Sequence, residues 1–171
     1  MPPSRADEKY DLNRIIIKPL YFGLVVNVLI PMGLLLICFY FENQRTWYNR
    51  IGDFANTLFY LFGLLSLAQT ALAVWLRRKL LAAPMIRRKE TFEDDLIQSL
   101  LKKTRPISYV IALIAAYGLV YFLLTGRFKE TVALVVFSFL VFQIVRPRFG
   151  FIRKLIERQE ALVEKGEFVR E

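Results

Sequence analysis

Histidine is absent from the chain, cysteine occurs once, at Cys38, and no charged residue interrupts Pro19 to Phe41, Ala55 to Leu76 or Pro106 to Gly126. Each absence removes a class of chemistry. Without histidine or a second cysteine there is no internal disulfide and no ligand set for a haem or a thiol-redox centre, so Cys38 reads as a small apolar packing residue. No Gly-rich phosphate loop, histidine cluster or cysteine pair occurs. Spans that hold no acid, base or arginine argue against proton- or ion-coupled transport by this chain alone. No catalytic, metal or cofactor constellation is visible, and the sequence therefore defines an architecture better than an activity.

What the chain has in quantity is apolar length. Apolar residues make up 56% of it, in long runs rather than in alternation, which is the composition of a membrane protein. A bilayer core of ~30 Å needs roughly twenty apolar residues of helix, and the three uncharged runs meet that need. A fourth run, Thr131 to Val145, would reach only about 22 Å at 1.5 Å per residue. As a span it requires Lys129 and Arg146 to snorkel, or the helix to run on past its basic end.

The net charge of +9 would suggest nucleic acid in a soluble protein, but its distribution points to membrane orientation instead. Of 24 Lys and Arg, four precede the first span, nine lie between Arg77 and Arg105, and seven follow the last span; the two short links hold two each. The positive-inside rule assigns the larger set to the cytoplasm. The expected fold is an all-α integral membrane protein with four transmembrane helices in two hairpins and both termini cytoplasmic. A bacterial inner membrane is the default location. The expected segments are an N-terminal piece (1–18), a first hairpin (19–76), a basic connector (77–105), a second hairpin (106–145) and a tail (146–171). Residues 1–8 read as disordered, and the first span, expected to start near Pro19, serves as its own insertion signal.

Few polar side chains enter the spans. Asn27 and Pro31 are four apart, and a proline cannot donate to the carbonyl four residues back, so a bend is expected there. Ser66, Gln69 and Thr70 share one helical face of the second span, and Gln143 lies near the end of the fourth. Such residues commonly join helices within a bilayer. In the outer link, Trp47 and Tyr48 read as interfacial anchors.

The connector and tail carry the remaining signals. Arg77, Arg78 and Lys79, then Arg87, Arg88 and Lys89, and later Arg146 and Arg148, are placed to orient the chain or meet anionic lipid. Leu80 to Ile86, between the first two clusters, is positioned to graze the membrane surface. A helix is expected from Thr91, with Asp94 making a near capping box and the acids Glu93, Asp94 and Asp95 at the positive end of its dipole. Its apolar side, Phe92, Leu96, Ile97, Leu100 and Leu101, should lie flat on lipid or protein. Metal binding by the three acids is disfavoured, because consecutive residues point to different sides of a helix. From Phe151 to Lys165 an apolar arc holds Phe151, Ile152, Leu155, Ile156, Gln159, Leu162 and Val163, with Gly166 as a stop. Mixed charges on its other face favour protein contact, with the connector helix or with a partner. The approach to Pro106 repeats the approach to Pro19 at an offset of 87 residues, but residue identity is too low to establish a duplication.

These readings lead to a non-enzymatic accessory, scaffold or assembly subunit of a larger membrane complex. It would meet membrane lipids and other subunits or copies of itself, docking through Phe92, Leu96, Leu100, Ile152, Leu155, Ile156 and Leu162. An oligomeric channel or carrier is the alternative, and a lipid-modifying enzyme using the connector acids is the third reading.

Overall fold

The computed structural model describes residues 10–44 and 51–169, whose regular structure is all helical, with no strand among them. Four helices among them are long and apolar enough to cross a membrane, which places the chain among multi-pass membrane proteins. The readings on residues 1–8, on Trp47 and Tyr48, and on Arg45 and Arg50 lie outside the described residues.

The first span is α1 (Leu12–Leu24), a π-helical turn (Val25–Leu29) and α2 (Ile30–Asn43) in one continuous run. It begins well before Pro19, because Asp11 caps it: the Asp11 carboxylate accepts from the backbone N–H groups of Asn13 at 3.0 Å and Arg14 at 3.2 Å. Such a cap contributes about 1 kcal/mol. The expected break at Lys18-Pro19 does not occur, and Pro19 is buried inside the helix.

The second span is α3 (Phe54–Ala82). The third is α4 (Phe92–Thr125), entered through a short 3-10 turn (Lys89–Thr91), and the fourth is α5 (Phe128–Val145). The tail helix is α6 (Phe149–Glu164). Gly126 and Gly166, both at positive φ, end α4 and α6. After Gly166 the Glu167 N–H returns to the Leu162 carbonyl at 2.9 Å, closing the last turn. The fourth span gains three residues over its expected start, and its eighteen residues reach about 27 Å.

The connector helix is not a separate element lying flat. It forms the first turns of α4, which runs through Pro106 without a break. Lys102 to Arg105 hold no helix breaker, and only the one hydrogen bond to the Lys102 carbonyl is lost to the proline ring. The expected capping box is also not formed. Thr91 makes no side-chain cap, and its hydroxyl donates to Asp95 at 3.0 Å instead.

The four spans are not two equivalent hairpins. α4 and α5 pack closely along their length, whereas α2 and α3, adjacent in sequence, rest separately on that pair rather than on each other. Close approach of α4 and α5 depends on Gly118, where a Cβ would lie 3.2 Å from the Thr131 carbonyl oxygen. α3 is seated by a narrow strip at helical spacing, Ala55, Ser66 and Ala73, all at most 1% exposed.

A second core lies beyond the spans at the basic end. Ile15 and Ile16 of α1, Leu81 at the end of α3, Met85 and Ile86 of the connector, Leu96 and Leu100 of α4 and Ile152 and Ile156 of α6 form one cluster. Within Leu80 to Ile86, the apolar side chains of Leu81, Met85 and Ile86 are buried in this cap rather than turned outward. Tyr10 stacks on Phe92 at 4.9 Å and donates to Glu160 at 2.9 Å, so both described ends of the chain meet there.

Candidate functional site

The proline at position 31 and its consequence are the clearest local feature within the spans. Pro31 has no N–H for the Asn27 carbonyl, and the chain answers with a wider turn: Val25–Leu29 is π-helical, with Ile30 N–H bonding back to the Val25 carbonyl. In a regular α-helix a four-residue step drifts by roughly 40°. The extra residue in the turn counters that drift and keeps Gly23, Asn27 and Pro31 facing inward, all three buried. The turn packs on both α4 and α5.

Asn27 is fully buried, and its Nδ2 donates to the Gly23 carbonyl at 3.1 Å. Its Oδ1 has no hydrogen-bond partner among the described residues. Gly23 itself leaves room for the Phe142 ring, whose edge would stand 2.7 Å from a Cβ at that position. Below it, a cavity of about 20 Å³ is lined by Pro19, Gly23, Ser108 and Phe142 among others, space for a single water. The cavity can hold a water beside Gly23 and Ser108; Asn27 is not part of its lining.

The other polar residues of the spans serve helix contacts. Ser66 and Thr70 donate to the carbonyls four residues back, at 2.7 and 2.8 Å. Gln69 reaches across to α4, its Nε2 bonding the Tyr117 hydroxyl at 2.7 Å, beside a stack of Phe62 on Tyr117 at 5.2 Å. Gln143 departs from expectation. It follows buried Val141 and Phe142, so the 100° step turns it outward with Ile144, and its side chain is exposed. Ser138, five residues earlier, is buried on α5 as Thr131 is, and its hydroxyl has no partner among the described residues.

The residues expected to dock a partner are used within the chain. Phe92, Leu96, Leu100, Ile152, Leu155 and Ile156 are buried against one another in the basal cap, and Leu162 is half-buried at its edge. Both amphipathic faces needed cover, and they find it in one core shared with Ile15 and Ile16 of α1 and Met85 and Ile86 of the connector, α6 lying chiefly against α1.

Gln159, placed by the sequence in the apolar arc without a role of its own, is the polar residue that ties the connector down. It is 1% exposed, and it holds the extended connector as a strand partner would: Oε1 accepts from Met85 N–H at 2.9 Å and Nε2 donates to the Ala83 carbonyl at 3.3 Å. Its signal was a lone amide in the middle of an apolar arc. Ser99 and Lys103 add bonds to the carbonyls of Met85, Ala83 and Pro84.

The connector acids are also engaged. Asp95 accepts from the backbone N–H groups of Arg87 and Arg88 and from Thr91, while Glu93 and Asp94 each lie 3.4 Å from Arg14. Those two exposed pairs contribute little, about 1 kcal/mol or less. Among the described residues no group of His, Cys, Asp and Glu could hold a metal ion.

The basic clusters frame the cap. Arg77 and Arg148 donate to the last carbonyls of α5, at Ile144 and Gln143, and Arg146 N–H closes that helix on Phe142. Lys79 lies 4.8 Å over the Trp75 ring. Arg78, Arg87, Arg88 and Lys89 are exposed. No protein-family model, characterised protein or solved structure matches this chain.

Proposed function

We propose that this chain is a non-enzymatic accessory or scaffold subunit of a larger complex, set in a bacterial inner membrane with both ends in the cytoplasm. The orientation rests on the gathering of cations at the end where α1 and α6 meet. The observation that carries the reading is the separation of α2 from α3. Two spans joined by a short link each leave a broad apolar side uncovered, with Leu36 and Ile37 on α2 and Leu64 and Leu72 on α3 all exposed. Polar residues meanwhile bind the chain's own helices. Since the cap has consumed its amphipathic faces internally, partner contact falls to the spans rather than to the connector and tail.

Photo-crosslinkers placed at Leu64 and Leu72, in cells and in the full-length chain, test this. The expected product is a discrete adduct with another membrane protein at both positions. Adducts with lipid alone would overturn it. Adducts only with a second copy would favour the other reading, an oligomeric channel or carrier. The observation in favour of that second reading is the set of unpartnered buried acceptors at Asn27, Gln69 and Ser138.

A further inference from the structure

At the basic end, the last turns of α3, the end of α5 and the first turns of α6 enclose an open pocket of about 540 Å³. Four cations line it, Arg77 and Arg78 from α3 and Lys154 and Arg158 from α6, and no carboxylate does. None of the four makes an ion pair among the described residues. Four cations gathered at one pocket without a counter-charge in its lining set up a positive potential that attracts an anion.

Arg77 is already oriented for one. Its guanidinium lies 4.3 Å over the Phe151 ring and donates through Nη1 to the Ile144 carbonyl at 3.1 Å. Those contacts fix its plane and leave further N–H donors for phosphate oxygens. Arg78, Lys154 and Arg158 stand exposed around it.

The remainder of the wall is apolar. Val74 and Ile144 lead from the cations onto the outer flanks of α3 and α5, where Trp75 and Ile144 are more than half exposed. A free inorganic anion would use only the charged part, whereas a phosphate carrying acyl chains would use both. We propose that this pocket seats the headgroup of an anionic phospholipid, its chains lying along the α3–α5 flank. Basic pockets between spans near the membrane surface suit such headgroups. The assignment is independent of whether the chain is a subunit of a complex.

The test is native mass spectrometry of the full-length protein in mild detergent, titrated with phosphatidylglycerol or phosphatidylcholine. Phosphatidylglycerol should bind at least about tenfold more tightly, and the triple variant R78Q/K154Q/R158Q should weaken it on the order of a hundredfold. Arg77 is kept because it also caps α5. Should the triple variant not fold, K154Q/R158Q alters two exposed side chains only and should weaken binding about tenfold. The variant R87Q/R88Q/K89Q, with the same charge change in the connector, should bind as the unaltered chain does. Equal affinity for both lipids would overturn the proposal, as would an equal loss in the connector variant. Release of bound phosphatidylglycerol by millimolar inorganic phosphate would assign the pocket to the free anion instead.

Discussion

The second and third spans are both long and apolar, yet one stands at the edge of the molecule and the other at its centre. In its most apolar window the Lys89–Thr125 span has 44% of its residues buried, and Phe54–Ala82 has 11%. Hydrophobicity does not make that difference, because a side chain leaving lipid for another helix gains little transfer energy. Shape does. α4 presents Ser108, Ala115 and Gly118 among its buried positions and meets the first, second and fourth spans. α3 presents one strip of small residues and keeps its remaining surface for whatever surrounds it.

Substitutions can break or sharpen this contrast. The largest effect is expected from Gly118→Leu, since a Cβ there already meets backbone and two side chains of α5 at 3.2 to 3.4 Å. The loss should be about 3 kcal/mol, read as thermal unfolding in detergent. An unchanged midpoint would mean that the α4–α5 seam is looser than described. Next is Gln159→Leu, which leaves the Met85 N–H unpaired in the cap and the Ala83 carbonyl with Lys103 as its remaining donor, and should cost about 2 kcal/mol in the same measurement. Protease cutting in the connector, at Arg87 or Arg88, should rise with it. Gln69→Leu should cost only about 0.6 kcal/mol, the usual scale for a hydrogen bond between spans. A double-mutant cycle with Tyr117→Phe would return no coupling if that bond were unimportant. The smallest effect belongs to the outer side of α3, where Leu64→Ala should shift the isolated chain by less than about 0.5 kcal/mol. A larger loss measured in native membranes than in detergent would show that this side has an occupant.

The parts of this fold that were legible in the sequence are those set by solvent. Uncharged runs marked the spans, Gly166 marked the end of α6, and the apolar arc of α6 lies inward as its period required. Other features depended on long-range fit. Lys18-Pro19 and Arg105-Pro106 looked like boundaries, because a proline removes one donor locally; the neighbouring turns absorb that loss and both helices continue. Thr91 and Asp94 had the spacing of a cap, but Asp95 lies where three donors converge, a placement that only the folded connector creates. The amphipathic faces of the connector and the tail each predicted a companion. That both meet in one core with the start of α1 follows from where the spans deliver them, which no local pattern encodes. At Asn27 and Pro31 the lost hydrogen bond was readable, while its resolution as a π-helical turn depended on what α4 and α5 place opposite.

The unbroken course of α4 links the two ends of the protein mechanically. Its 34 residues measure about 51 Å, with Phe92 anchored in the basal cap and the opposite end held where Arg127 grips Asn56 at 2.6 Å. A tilt of roughly 5° at one extremity displaces the other by about 4 Å over such a lever arm.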